Sequence, residues 1–224
     1  MISHELRSIF VHVQKTGGSS IRDALGMAQF DAHKHRFASE LRAIYGADTW
    51  NQYFKFAFVR NPWDRLVSWW EMMRRNVVEG RPRNGFQRYV MERAGTFAEF
   101  LQQCDAEYRD ADGAKWIYRN QLDYLTDADD VLLVDFVGRF EQLQLDFSRV
   151  AARLNVAPIT LPRVNATVRR PYASYYSREL RELVAERYAK DIEAFGYLFA
   201  EESDCAAAAR QSAGPASSLA ARGD

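Results

Sequence analysis

Residues 9–21, Ile-Phe-Val-His-Val-Gln-Lys-Thr-Gly-Gly-Ser-Ser-Ile, constrain the fold more than any other stretch of the chain. The apolar residues Ile9, Phe10, Val11 and Val13 are β-branched or aromatic and predict a buried strand. The run breaks at Gly17 and Gly18, which can turn tightly and let a ligand approach the backbone. Ser19 and Ser20 follow as candidate caps for a helix whose apolar positions Ile21, Ala24, Leu25 and Ala28 share one face. A strand, a glycine turn and a helix N-terminus bring several N–H groups to one spot, where the helix dipole favours negative charge. Lys15 adds a full positive charge. This is the chemistry of an anion cradle. It is not the nucleotide triphosphatase signature G-x-x-x-x-G-K-[ST], because the lysine precedes the glycines and the chain has no Gly-Lys dipeptide.

A second segment, residues 54–70, reads Phe-Lys-Phe-Ala-Phe-Val-Arg-Asn-Pro-Trp-Asp-Arg-Leu-Val-Ser-Trp-Trp. Phe54, Phe56 and Phe58 alternate with Lys55, Ala57 and Val59, which predicts a strand with at least one buried face. Asn61 is a helix cap, Pro62 suits the first helical position, and Asp64 places a carboxylate in the first turn. Arg60 therefore stands at the carboxyl end of a strand, with Ser68 about two helical turns, roughly 10 Å, further on. Ligands of open α/β sheets bind outside the carboxyl ends of the strands. Arg60 offers a planar fork for a phosphate and Ser68 a hydroxyl. The alternative use of Arg60 is a helix-start ion pair with Asp64, leaving Ser68 on the surface.

Taken together, the two segments resemble the cofactor motifs of sulfotransferases that use 3′-phosphoadenosine 5′-phosphosulfate. The first is similar to the 5′-phosphosulfate loop, with Gln14 where proline is common and Ser19 where threonine is common. The second, residues 58–68, is similar to the 3′-phosphate motif. The likeness is strongest to the carbohydrate-type branch, which includes chondroitin, dermatan and heparan sulfotransferases and bacterial relatives. It extends over roughly residues 8–198, through Gln121-Leu-Asp-Tyr-Leu-Thr, Val134-Asp-Phe-Val-Gly-Arg-Phe-Glu141, Tyr175-Tyr-Ser and Asp191-Ile-Glu-Ala-Phe-Gly-Tyr197. The resemblance implies a single α/β domain with a central parallel sheet flanked by helices and a P-loop-like phosphosulfate loop. It also implies donor binding by Lys15, Thr16, Gly17, Gly18, Ser19, Ser20, Arg60 and Ser68. The product would be adenosine 3′,5′-bisphosphate, and the acceptor a hydroxyl, expected on a glycan or glycoconjugate. A nucleotide-dependent kinase, which would require magnesium, and a nucleotide-binding module without turnover are the competing readings.

Sulfuryl transfer needs a base for the acceptor proton and a cation for the departing phosphate oxygen, but no metal. Lys15 is the natural cation. Residues 31–40, Asp-Ala-His-Lys-His-Arg-Phe-Ala-Ser-Glu, offer His33 and His35, and imidazole titrates in the right range. In the resembled branch a histidine often precedes the helix after the first motif, which puts His35 in the catalytic role, with His33 and then Glu40 in reserve. His12 is expected to be a satisfied structural histidine and His4 a disordered terminal one. The arginine-rich residues 74–93 are expected to form a loop at the substrate mouth, with Trp69, Trp70, Phe86 and Tyr89 available to stack on sugar faces. In residues 163–172, which resemble the family's closing segment, either Arg169 or Arg170 is placed to touch a phosphate.

Thirty Lys and Arg balance thirty Asp and Glu, so net charge gives no argument for nucleic acid or a membrane surface. Cys104 and Cys205 have neither a disulfide framework nor metal-ligand spacing. The charged start lacks the apolar core of a signal peptide, and no run approaches the ~18 apolar residues of a membrane span. A cytoplasmic enzyme is the expectation. Parallel strands are expected at 8–14, 54–60 and 131–137, and helices near 18–28, 38–46, 62–76, 97–104, 141–154 and 177–195. The domain is expected to end near residue 200, followed by a disordered Ala-, Ser- and Gly-rich tail over 201–224.

Overall fold

Three parallel strands form the centre of the molecule, and two of them are buried on both faces. The computed structural model describes residues 1–28, 31–75, 77–78, 81–110, 113–162 and 169–200. In chain order the elements begin with β1 (Ile2–Ser3), β2 (Ser8–Val11), α1 (Gly18–Ala24), α2 (Ala38–Tyr45), α3 (Ala47–Gln52), β3 (Phe54–Val59) and α4 (Pro62–Arg75). There follow β4 (Val77–Val78), β5 (Arg81–Pro82), α5 (Gly85–Arg93), α6 (Phe97–Gln103), β6 (Tyr108–Asp110) and β7 (Gly113–Lys115). The chain continues through β8 (Phe136–Arg139), α7 (Leu143–Arg153), α8 (Arg178–Arg187) and α9 (Ala189–Phe195). Short 3-10 turns occur at Leu122–Tyr124, Phe140–Gln142 and Tyr172–Tyr175.

The main sheet has the order β1-β2-β3-β8, with β1 antiparallel and the other three parallel. Phe10 lies opposite Phe56, and Phe58 opposite Gly138. Side chains alternate across a strand, so each strand feeds two cores. Ile9, Val11, Ala57 and Val59 face a core shared with α4, α5 and α6. Phe10, Phe56 and Phe58 face the opposite core with Ile21, Phe147 and Val150.

The third parallel strand begins later than its sequence suggests. Val131 and Leu132 are exposed, and Leu132 makes only an isolated bridge to Thr126. Asp135 sets the register: its carboxylate accepts from the Lys55 N–H at 2.8 Å and lies 2.9 Å from the Lys55 ammonium. The ladder then runs from Phe136. The helix expected over 177–195 is two helices, α8 and α9, broken at Tyr188. Apolar positions keep to one face on both sides of the break, so periodicity conceals it. Gly196 ends α9 as expected, in the left-handed conformation.

The arginine-rich stretch is not one loop. Arg74 and Arg75 finish α4, β4 pairs with β5, and Asn84 caps α5 by accepting from the Gln87 N–H at 2.9 Å. Positions 76, 79 and 80 of that stretch lie outside the described residues, as do 163–168, Cys205 and the whole 201–224 tail. His4 is ordered, with Nδ1 2.8 Å from the Tyr53 hydroxyl.

A buried amide joins the carboxyl end of β3 to the C-terminal helices. Gln121 Oε1 accepts from the Arg60 N–H at 2.8 Å, and its Nε2 donates to the Arg60 carbonyl at 2.7 Å. The buried Asp191 carboxylate accepts from the Gln121 N–H, the Gln121 Nε2 and the Leu122 N–H at 2.9–3.0 Å. Leaving several such groups unpaired in the interior costs about 1–3 kcal/mol each. Gln121→Leu, similar in volume but unable to pair, should therefore lose about 2–4 kcal/mol. Urea denaturation checks this: the midpoint should fall while the slope stays at its wild-type value.

Candidate active site

Beyond β2 the chain enters the glycine loop with two left-handed residues, Lys15 at φ 71° and Gly17 at φ 86°. The Thr16 hydroxyl is turned inward, donating to the Val13 carbonyl at 2.9 Å, so this side chain braces the loop. Helix α1 starts at Gly18 with Gly17 as its cap residue, and no side chain caps it. Ser19 and Ser20, expected as caps, stand instead in the first turn, and both line the adjoining cleft. Gly18 is required by close approach: a Cβ there would lie 1.8 Å from His12 Nε2. The space that this glycine leaves is thus filled from within the protein.

The second segment folds as its sequence predicts at the helix start. Asn61 Oδ1 accepts from the Trp63 and Asp64 N–H groups at 3.1 and 3.4 Å. Arg60 is buried and has several partners. Nε donates to Asp64 Oδ2 at 2.8 Å, Nη2 lies 2.7 Å from the same oxygen, and Nη1 donates to the Lys15 carbonyl at 3.0 Å. Its guanidinium also lies over the Phe140 ring, 3.8 Å from the centroid. The ion pair with Asp64 therefore forms, and it coexists with a cleft position for Arg60; a guanidinium has five N–H donors, more than these contacts use. Ser68 lines the same cleft one turn beyond Asp64. Of the two arginines left open in the closing segment, Arg169 pairs with Asp64 and lines the cleft, whereas the exposed Arg170 lies over Tyr175.

His35 reaches the cleft with its backbone in the left-handed region, φ 67°. Its Nδ1 lies 2.9 Å from the His12 carbonyl. A carbonyl only accepts, so Nδ1 carries the proton and Nε2 keeps a lone pair. Burial lowers the His35 pKa to about 3, and the cation of Lys34 adds to the effect against the bond to His12. His12 packs between Phe10 and His35, with ring centroids 5.1 and 4.4 Å away. It is not fully satisfied, since Nδ1 has no partner among the described residues. His33 lies against Tyr45, its N–H donating to Asp31, and does not line the cleft. Glu40 is committed to the start of α2, accepting from the Phe37 N–H at 2.9 Å and pairing with Arg36 at 3.0 Å.

Lys15 Nζ sits 3.2 Å from Met72 Sδ and 5.9 Å from the Trp69 ring centre. Burial and the neighbouring Arg60, Arg169 and Arg65 guanidinium groups lower its pKa to about 7. Lys15, Gly17, Gly18, Ser19, Ser20, Arg60, Ser68 and His35 thus line one cleft of about 1950 Å³, with Thr16 beneath it. Among the aromatic residues expected for stacking, Trp70 packs into the core against Phe97 and Phe100 and does not line the cleft, and neither does Tyr89. Trp69 and Phe86 line it but are almost wholly buried; the half-buried Trp116 is a further lining aromatic. Among the described residues no group of three or more His, Cys, Asp or Glu is arranged to hold a metal. No helix there is long and apolar enough to cross a membrane.

The sequence model described as the sulfotransferase family matches residues 1–198. This chain belongs to the sulfotransferase family. A solved crystal structure of a sulfotransferase from Alicyclobacillus acidocaldarius is similar over 87% of this chain and 97% of that one, at 16% identity and a TM-score of 0.45. No curated protein matches the chain.

The sulfotransferase also contains a site residue to which its sequence gave no role. Arg65 is fully buried; Nε donates to the Gln14 carbonyl at 3.0 Å, and Nη1 donates to the Arg119 carbonyl and the Tyr188 hydroxyl at 2.9 and 3.0 Å. It fastens the glycine loop to α4 from below. Its signal was present, an arginine on the apolar side of an amphipathic helix, but its partners, two main-chain carbonyls and a tyrosine hydroxyl, lie far away in sequence.

Both environments lower a pKa, so the histidine and lysine contributions to stability are lost in the same direction, as pH falls, but in different windows. An unfolded histidine binds a proton near pH 6.5, whereas His35 resists until about pH 3. Its contribution to stability is full above about pH 6.5 and is lost as pH falls toward 3. NMR titration of the free sulfotransferase should show a His35 imidazole that stays neutral through pH 5 and a Lys15 ammonium that titrates near pH 7. Arg60→Ala should move the Lys15 titration upward by removing a neighbouring positive charge.

Proposed function

We propose that this sulfotransferase moves a sulfonate from 3′-phosphoadenosine 5′-phosphosulfate to a carbohydrate hydroxyl, with His35 as general base. The observation that supports this most is the meeting of Lys15, Arg60, Ser68 and His35 in one cleft. They come from the ends of two adjacent parallel strands and the loops beyond. The side chains fit the donor chemically: a cation with loop N–H groups suits a phosphosulfate, and a guanidinium with a hydroxyl suits a separate phosphate. At about 1950 Å³ the cleft has room for an acceptor as well as a nucleotide.

When bound, the donor supplies an activated sulfuryl group, which moves from its phosphate oxygen to the acceptor oxygen. His35 Nε2 takes the acceptor proton, and the His12 carbonyl holds the tautomer that leaves Nε2 free. Lys15 stabilises charge on the departing phosphate oxygen. Arg60 and Ser68 hold the 3′-phosphate. No metal is assigned a role, and the enzyme is read as cytoplasmic.

Transfer of radiolabelled sulfonate to a panel of glycans, phenols and lipids tests the reaction and the acceptor together. His35→Ala should lower turnover of an alcohol acceptor by about 10²–10⁴-fold while donor affinity stays near wild type. Lys15→Ala should reduce the single-turnover rate more than it weakens donor binding. Arg60→Ala and Ser68→Ala should each cost about 1.5–3 kcal/mol in calorimetric binding of adenosine 3′,5′-bisphosphate. Neither should weaken a nucleotide lacking the 3′-phosphate. Normal turnover in His35→Ala, together with loss in His33→Ala or Glu40→Ala, would move the base elsewhere in the 31–40 segment.

A further inference from the structure

Asp64 is a carboxylate held between two arginines that line the cleft. Its Oδ2 is held by Arg60 and its Oδ1 by Arg169, so each guanidinium has its own oxygen. All three side chains are largely buried, with 14% exposure for Asp64, 7% for Arg60 and 15% for Arg169. All three line the cleft together with Lys15 and Ser68. The arginines are 109 positions apart in sequence and reach the site from β3 and from the segment before the 3-10 turn at Tyr172–Tyr175.

That turn is fixed to α4 by other contacts. Tyr176 donates its hydroxyl to the Trp63 carbonyl at 2.8 Å, and Tyr175 donates to the buried Glu71 at 2.9 Å. The Tyr172 hydroxyl accepts from Asn61 Nδ2 at 3.5 Å. Docking of the segment therefore does not depend on Asp64. What Asp64 adds is orientation at the cleft wall, where two like-charged guanidinium groups would otherwise repel each other and Lys15.

We infer that Asp64 is a positioning residue that joins Arg60 and Arg169 into one preorganised anion-binding pair, recognising the donor's 3′-phosphate. The inference rests on the donor reading above and extends it to a second arginine and to the carboxylate that aligns both. Each guanidinium gives one edge to Asp64 and has further N–H donors for a phosphate oxygen. Their ordering cost is met before the nucleotide arrives, which raises affinity without adding a contact. The carboxylate itself touches neither the sulfonate nor the acceptor, so turnover at saturation does not depend on it.

Calorimetry on the full chain with adenosine 3′,5′-bisphosphate and with adenosine 5′-phosphosulfate, which lacks the 3′-phosphate, separates this role from a structural one. Asp64→Asn should weaken the bisphosphate about tenfold and leave the second nucleotide within about twofold. The KM for donor should rise while kcat changes little. Arg169→Gln, which leaves the start of α4 intact, should show the same selective loss even if Asp64→Asn folds poorly. In the double variant the two losses should be less than additive. Equal losses for both nucleotides, tighter bisphosphate binding in Asp64→Asn, or full additivity would overturn the inference. If the wild type discriminates between the nucleotides and Asp64→Asn does so equally well, the inference fails and the donor reading survives. If the wild type does not discriminate at all, the donor reading fails and takes the inference with it.

Discussion

The cleft depends on how the chain is held as it leaves β3. Arg60 has both its main-chain groups paired with the Gln121 amide, so the residue behaves as though the strand had one more neighbour. The Asn61 N–H donates to Glu141 at 2.6 Å, and Asn61 Nδ2 donates to the Leu198 carbonyl at 2.9 Å. Three distant parts of the chain thus converge on two residues. Because the backbone there cannot drift, the Arg60 side chain is delivered to one place, and α4 starts in one direction. Asp64, Arg65 and Ser68 then follow from helical geometry alone.

Below and beside the glycine loop the electrostatics favour a bound anion. Arg65 is buried with carbonyl and hydroxyl partners, and its Nη2 has none among the described residues. A buried cation without a carboxylate is costly unless something nearby benefits from its field. Arg60, Arg65 and Arg169 all act on Lys15, which burial already pushes toward neutrality. An anion between them would favour the charged form of Lys15 again. Donor binding and the protonation of the proposed leaving-group cation would then be linked.

Much of this was legible before any coordinates. The β2–loop–α1 and β3–α4 segments carry local signals of high specificity: alternation, paired glycines, an Asn cap and a first-turn proline. The strand of residues 131–137 was less clear, because Val131 and Leu132 are apolar yet exposed and only Asp135 reveals the register. The arginine-rich stretch read as a loop because its helix is short and polar on one side, although Asn84 was a capping signal. Gln121 and Asp191 stood within recognisable segments, but nothing local says that this carboxylate will accept two hydrogen bonds from Gln121 and one from Leu122, so far away in the chain.

The sequence by itself determined the fold class, the order of the elements and which side chains could meet an anion. Those properties depend on near-neighbour periodicity, backbone-restricting residues and intrinsic charge. Only the tertiary structure decided what each group is free to do. It turned the Thr16 hydroxyl inward, filled the space at Gly18 with His12, and withdrew His33 from the cleft while leaving His35 there. It also resolved Arg169 from Arg170 by bringing one to Asp64 and the other over Tyr175. The reason is that burial and partner choice are long-range quantities. They arise from segments that pack side by side while lying far apart in the chain.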